Sequence, residues 1–340
     1  MPEQKNILLG HGSGGKLSNE LIENIFIKHF SNQILAQQGD SALLDIPSNL
    51  ISFTTDSFVV DPLFFKGGNI GKLAIAGTVN DLAVSGAKPL YLSVGFIIEE
   101  GLNIEVLESV VETMAEEAKK AGVSIVTGDT KVVDRGKCDK LFINTTGIGV
   151  LDKDLKNISN ASNISVGDKI IINGGIAEHG MAIMAERNDL NISADIKSDC
   201  ASLNHLIAEL VDKFGAKIKF MRDATRGGIS TVLSELVKNK NFGIEVHEKK
   251  VPLKENVSGM CELLGFDPFY VANEGKVIIV IDRDSADEAL SIIRKNEFGK
   301  DAAIIGEITK ENPGKGRIIT SIGGSRVIDM LSGQQLPRIC

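Results

Sequence analysis

Apolar positions recur along this chain at two spacings, and their alternation divides it into successive strand–helix units. Asn6-Ile-Leu-Leu9 is a short apolar run broken by His11-Gly-Ser-Gly-Gly15, after which Leu17, Leu21, Ile22, Ile25 and Phe26 return at helical spacing. This reads as strand, glycine loop, helix. Ile51 to Val60 reads as a strand interrupted by polar Thr54, Thr55, Asp56 and Ser57. Ile70 to Ser85 predicts a helix rich in Ala74, Ala76, Gly77 and Ala83, a surface that permits close packing although glycine weakens the helix itself. Leu90 to Ile98 predicts a strand, and Ile104 to Ala121 an amphipathic helix stopped by Gly122. Strands at Val123–Val126 and Leu141–Val150 complete a first α/β unit.

The polar stretch Asp152 to Gly167 separates this unit from a second. There Lys169-Ile-Ile-Ile172 predicts a strand running into Asn173-Gly-Gly175, followed by helices around Met181–Glu186 and Ala201–Phe214. Arg222-Asp-Ala-Thr-Arg-Gly-Gly228 opens a helix that runs to about Lys238. Strands follow at Phe242–Val246, Lys276–Ile281, Ala302–Ile308 and Arg317–Thr320, with a helix at Ala286–Arg294. No short period repeats, which argues against a solenoid. A chain of 340 residues is long for one core. The expected organisation is α/β, with domains 1–155 and 156–330 and a mobile tail 331–340.

Composition narrows the function. A net charge of −8 argues against nucleic acid as a partner, because phosphate binding is dominated by Lys and Arg. No long apolar run predicts a membrane span. The cysteines (Cys138, Cys200, Cys261, Cys340) have neither metal spacing nor a disulfide framework, and Met1-Pro-Glu-Gln-Lys opens no signal peptide. A reducing cytoplasm is the expected home. Cysteine is usually buried and inert, and Cys340 at the end of Leu331-Ser-Gly-Gln-Gln-Leu-Pro-Arg-Ile-Cys340 is poorly placed for that. It is either incidental or a thiol at the tip of an arm that reaches roughly 33–36 Å when extended.

Candidate chemistry lies in the glycine loop and in misplaced acids. Gly10-His-Gly-Ser-Gly-Gly-Lys16 nearly fits the phosphate loop G-x-x-x-x-G-K-[ST], but Leu17 stands where a Mg²⁺-binding hydroxyl belongs. A plain glycine turn satisfies the same pattern; in either case amides exposed before a helix can contact phosphate. Gly39-Asp-Ser-Ala42, Thr55-Asp-Ser57, Val79-Asn-Asp-Leu82 and Thr127-Gly-Asp-Thr-Lys131 each put an Asp where core is expected. Any one of them could be a cap or a turn. Four in one domain point to a metal–nucleotide site, because converging carboxylates need cations and Mg²⁺ bridging to phosphates is a common solution.

Lys131 could reach a phosphate or carry a proton, or simply be exposed. Arg222, Asp223, Arg226 and Gly227-Gly228 precede a helix and suit an anion, or form a local ion pair. Glu274, in Asn273-Glu-Gly-Lys276, is a turn residue or a carboxylate delivered to a site. His179 is expected to be structural, since no second His or Cys has ligand spacing.

Taken together, His11-Gly-Ser-Gly-Gly15, Thr54-Thr-Asp-Ser57, Gly77-Thr-Val-Asn-Asp-Leu82, Thr127-Gly-Asp-Thr-Lys131, Arg222-Asp-Ala-Thr-Arg-Gly-Gly228, Asn273-Glu-Gly-Lys276 and Pro337-Arg-Ile-Cys340 resemble the HypE family of hydrogenase maturation proteins. That family lies within the PurM-like (AIR synthetase) superfamily. The resemblance implies a two-domain PurM-like fold and an ATP-dependent dehydration of a carbamoyl group carried on Cys340, by way of O-phosphorylation. The thiocyanate formed supplies cyanide for [NiFe]-hydrogenase. It implies ATP and Mg²⁺ as cofactors. Its implied partners are a second copy in a homodimer built through the N-terminal domains, the carbamoyltransferase HypF, and a HypC–HypD iron complex.

Carried over residue by residue, Cys340, Lys131 and Glu274 are catalytic. Gly12, Ser13, Gly14, Gly15, Asp56, Asn80, Asp81, Thr127, Gly128, Asp129, Asp223 and Arg226 bind nucleotide, and Asp40, Asp56, Asp81 and Asp129 hold metal. Alternatives are another PurM-like phosphotransferase, of selenophosphate synthetase or thiamine phosphate kinase type, and a non-catalytic nucleotide-binding scaffold.

Overall fold

A computed structural model describes residues 6–13, 15–37, 41–187, 195–330, 336 and 338–340. The first predicted strand is reduced to one isolated bridge between Asn6 and Asn103. The Leu8 amide donates to His11 Nδ1 at 2.9 Å and Ser18 Oγ donates to the His11 carbonyl at 2.8 Å, which turns the chain before it can extend. Helix α1 (Lys16–Leu21), a π turn over Ile22–Ile27 and α2 (Lys28–Phe30) follow.

The N-terminal body is a four-stranded sheet with helices on one face. It comprises β1 (Ile51–Phe58), the small hairpin β2 (Phe64–Phe65) and β3 (Gly68–Asn69), α3 (Ile70–Val84), β4 (Lys88–Glu99), α4 (Ile104–Ala121), β5 (Ser124–Val133) and β6 (Leu141–Val150). Strand order is β1-β6-β4-β5, with β4 and β5 parallel and the other pairs antiparallel. Asn69 caps α3 by accepting the Lys72 amide at 3.0 Å, and nearly every residue of the helix is buried. Its small residues serve that burial: a Cβ at Gly71 would come within 2.5 Å of the Val110 carbonyl of α4. Helix α4 ends where predicted, at Gly122 with φ 73°.

Burial alternates along β1, so Ser52, Thr54, Asp56 and Phe58 turn inward while Ile51, Phe53, Thr55 and Ser57 face out. Among the described residues the outward face carries no second layer, and Phe53 is 66% and Ile97 45% exposed.

The C-terminal body comprises β7 (Lys169–Ile172), α5 (Glu178–Arg187), α6 (Asn204–Phe214), β8 (Ile218–Asp223), α7 (Gly228–Val237), β9 (Gly243–His247), α8 (Glu255–Leu264), β10 (Val277–Ile281), α9 (Ala286–Ile293), β11 (Ala303–Thr309), β12 (Gly316–Ile319) and β13 (Ser325–Ile328). They form a mixed seven-stranded sheet, order β13-β12-β9-β11-β7-β10-β8. Strands β8 and β13 and helix α8 were not expected from the sequence. Val277 pairs with Asp223 across β10 and β8, and α3 packs on β8 and α6. The acids of the first domain therefore meet the loops of the second in one cleft.

Candidate active site

The cleft is built from β1 and α3 on one side and the ends of β8 and β10 on the other. Asp81, one turn from the end of α3, accepts from Thr54 Oγ1 at 2.8 Å, and Asp56 Oδ1 accepts from the Ser57 amide at 2.8 Å. Burial pushes the Asp56 carboxyl above the usual range, against the Ser57 hydrogen bond and the Arg226 charge. Burial also raises Asp81, helped by Asp56 and opposed by Thr54, Arg222 and Arg226. Asp223 is pushed up to about 7 by burial and by the charges of Asp81 and Asp56. Glu274 is raised well above its ordinary range by burial first, then by Asp199, Asp223 and Asp56, with Arg226 opposing. Its Oε1 is buried without a hydrogen-bond partner. An orphaned buried oxygen costs about 1–3 kcal/mol and marks a group kept for something other than stability.

The end of the chain is docked in this cleft. Leu336 and Ile339 are buried, and the Ile339 carbonyl lies 2.8 Å from His179 Nε2. The Cys340 carbonyl accepts from the Val59 amide at 3.0 Å. Arg338 donates Nε to the Val59 carbonyl at 3.0 Å and pairs with Asp139, while Arg187 donates to the Arg338 carbonyl. The Cys340 thiol is raised to about 12 by burial first and then by Glu274, with Arg226 opposing. Sulfur, base candidate and acids therefore lie within electrostatic reach of one another. Of the expected tail, 331–335 and Pro337 lie outside the described residues.

Lys131 and Asp129 occupy a different place. They pair at 3.0 Å on the edge strand β5 and line a cavity of about 410 Å³ with His11, Gly12 and Thr127–Gly128. Gly12 lies flat on that strand, since a Cβ there would fall 2.5 Å from the Val132 amide. Ser13 Oγ donates to the Gly10 carbonyl at 3.0 Å, and Gly15 begins α1. β1 and β5 are opposite edges of the sheet, with Ser57, Asn144, Gly95 and Asp129 in one row, so Asp129 sits roughly 14 Å across from β1 at ~4.8 Å per strand. Gly14 and Asp40 lie outside the described residues.

The Asn80 side chain has partners within the protein: its amide nitrogen donates to the Ala201 carbonyl at 2.9 Å and the Glu274 carbonyl at 3.4 Å, and its oxygen accepts the Leu203 amide at 2.7 Å, so it ties α3 to the second domain. Sequence reasoning missed Asp199, whose carboxylate holds the Glu274 backbone. Ser198-Asp-Cys200 has no periodicity that could have flagged it. His179 is buried and holds the tail.

Among the described residues no three Asp, Glu, His or Cys side chains converge tightly enough to cage a metal alone. All-oxygen donors in a cleft with surplus negative charge do fit Mg²⁺ arriving on phosphates, which binds through one or two carboxylates. The same surplus has a measurable consequence. A carboxyl whose folded value is raised stabilises the fold fully below its ordinary value of 3.8 and loses that contribution as pH rises through about 7 for Asp223. The melting temperature of the ligand-free protein is expected to fall between pH 5.5 and 8.5, and Asp223→Asn to flatten the fall. Calorimetry showing equal slopes in both proteins would refute the assignment.

Comparison with known proteins agrees with this geometry. Sequence models for the N-terminal and C-terminal domains of AIR synthase related proteins match residues 38–151 and 165–319. Carbamoyl dehydratase HypE of Bradyrhizobium diazoefficiens is 46% identical over 332 residues, covering 98% of this chain and 95% of its own. A crystal structure of HypE in complex with ATP superposes with a TM-score of 0.93 at 46% identity, over 98% of this chain and 99% of that one. A HypE–HypF complex matches with a TM-score of 0.79 at 49% identity, over 92% and 99%.

Proposed function

The chain belongs to the AIR synthase related family, in its HypE carbamoyl dehydratase branch, and from that premise we propose how its residues carry out the reaction. The activity is an ATP-dependent dehydration in hydrogenase maturation. The observation that carries the residue-level reading is Cys340 docked beside buried, unpartnered Glu274.

The carbamoyl group hangs on the Cys340 sulfur as a thiocarbamate. Its oxygen is a poor leaving group and becomes a good one when it takes the γ-phosphoryl of ATP. The nitrogen then loses its two protons, the C–O bond breaks as phosphate leaves, and a C–N triple bond remains on sulfur. Burial and neighbouring acids make Glu274 a stronger base than an ordinary carboxylate, as proton abstraction from a weakly acidic N–H requires. Arg226 faces the same carboxylates and suits the developing phosphate charge. Bound Mg²⁺, held by Asp56, Asp81 and Asp129, would offset charge on the phosphates.

Lys131 and Asp129 stand apart from Glu274 within one chain, and the uncovered sheet face supports a dimeric arrangement that would bring them together. A homodimer stacking those faces about a two-fold axis along the strands sets β5 of one subunit over β1 of the other. Lys131, Asp129 and the glycine loop then serve the partner's cleft. The domains divide near residue 155, ahead of the second sheet. No helix among the described residues is long and apolar enough to cross a membrane, and the reading places the protein in the cytoplasm. There its tail receives the carbamoyl group from HypF and yields cyanide to a HypC–HypD complex.

Intact-mass spectrometry of carbamoylated protein tests the reaction. ATP–Mg²⁺ is expected to remove one water, about 18 Da, at Cys340. ATP bound with no such loss would leave only the scaffold alternative. The phosphotransferase alternatives are not favoured, since near-half identity to carbamoyl dehydratases runs over almost the whole chain.

A further inference from the structure

Glu274 sits on a loop, and a loop does not aim a base by itself. Among the described residues, a carboxylate holds its backbone. Asp199 is buried, its side chain 1% exposed; Oδ1 lies 3.1 Å from the Glu274 amide nitrogen and Oδ2 3.2 Å from that of Gly275. Lys276 Nζ, also buried, pairs with Oδ2 at 3.0 Å. The two segments lie so close that a Cβ at Gly275 would stand 2.0 Å from the Asp199 carbonyl oxygen. Asn173 fixes the far side of the loop, donating to the Gly275 carbonyl at 3.0 Å and accepting the Val277 amide at 2.8 Å. Asn80 binds the next residues of the Asp199 segment, Ala201 and Leu203, to the helix that carries Asp81.

We propose that Asp199 is a positioning residue for Glu274: its carboxylate fixes the backbone that carries the base and registers it against α3. This rests on Glu274 being the base. Both carboxylate oxygens accept backbone N–H groups, a pair of acceptors that Asn could not present because its NH2 would face one of the donors, and the buried charge is offset by a partner, here Lys276. Burial pushes Asp199 up, but Lys276 outweighs it and holds the carboxyl below the usual range, so the charge is present throughout the working pH. That charge faces Glu274 together with Asp223, Asp56, Arg226 and the Cys340 thiol. It opposes ionisation of Glu274 and so strengthens it as a base.

The test uses the full-length protein carbamoylated on Cys340. Asp199→Asn is compared with Asp199→Asn/Lys276→Met, which removes both buried charges and leaves no lysine unpaired should the single variant fold poorly. Carbamoylation yield and ATP Kd are expected to stay at wild-type values while single-turnover dehydration falls about 10- to 100-fold, the usual cost of misplacing a reacting group by about an ångström. In Asp199→Asn the rising limb of the rate–pH profile moves to lower pH, a change that a purely structural role would not produce. A folded pair variant with the wild-type rate, or Asp199→Asn with an unmoved limb, overturns the proposal. Glu274→Gln run alongside separates the two claims. If it is inactive while the Asp199 variants are normal, positioning alone fails; if it is active, the base assignment itself fails.

Discussion

Glu274→Gln is expected to slow dehydration of the carbamoylated protein by about 10³-fold, within the range lost with a general base. The substitution keeps the shape of a side chain that is 4% exposed and removes only its ability to take a proton. Carbamoylation of Cys340 should proceed normally, because on the proposed reading Glu274 acts only after the thiol has been loaded. The variant should also be more stable than the parent above neutral pH. Glu274 has a raised folded value, so whatever it contributes to stability is present at low pH and is lost as pH rises through that value. A variant that dehydrates at the wild-type rate, followed by intact mass in a single turnover, would remove Glu274 from the mechanism.

Lys131→Ala is expected to cost at least about 10²-fold in the same assay, again with carbamoylation intact. Its position makes a sharper experiment possible, because Lys131 lies on the sheet edge opposite β1. If a subunit's tail is processed with its partner's lysine, Lys131→Ala and Glu274→Gln chains are each inactive alone. A mixed dimer of the two then holds one complete site. Random re-association of equal amounts should restore about a quarter of the wild-type rate, since half the dimers are mixed and each has half its sites. No recovery in demonstrably mixed dimers would place Lys131 and Glu274 in the same subunit and rule out stacking through the open sheet face.

Much of this fold is legible from periodicity because its helices and strands obey simple burial. α4, β6 and β7 fall where their apolar spacing puts them. The first strand does not form, because His11 and Ser18 hydrogen bonds bend a run whose apolarity alone reads as extended. β8 escapes notice because Ile218-Lys-Phe-Met-Arg-Asp223 ends in polar residues that belong to the cleft, where function overrides pattern. Two of the acids that read as out of place, Asp56 and Asp81, do share the cleft, and with them stands Asp223, which the sequence offered only as part of an anion site or an ion pair. Sequence could not separate Asp129 from them, since distance across a sheet depends on strand order. Nor could it show that Asn80 ties α3 to the second domain, since an amide inside an acidic motif reads as a ligand until its partners are seen.

The docked thiol has a consequence for the protein at rest. Oxidants and alkylating agents attack the thiolate, and a sulfur raised to about 12 holds almost none of it at neutral pH. Between turnovers, a tail tucked against Val59 and His179 keeps the molecule's one carrier thiol in its least perishable form. Shelf life and readiness are then opposite ends of one equilibrium, because only the undocked sulfur can be loaded and only the undocked sulfur can be spoiled.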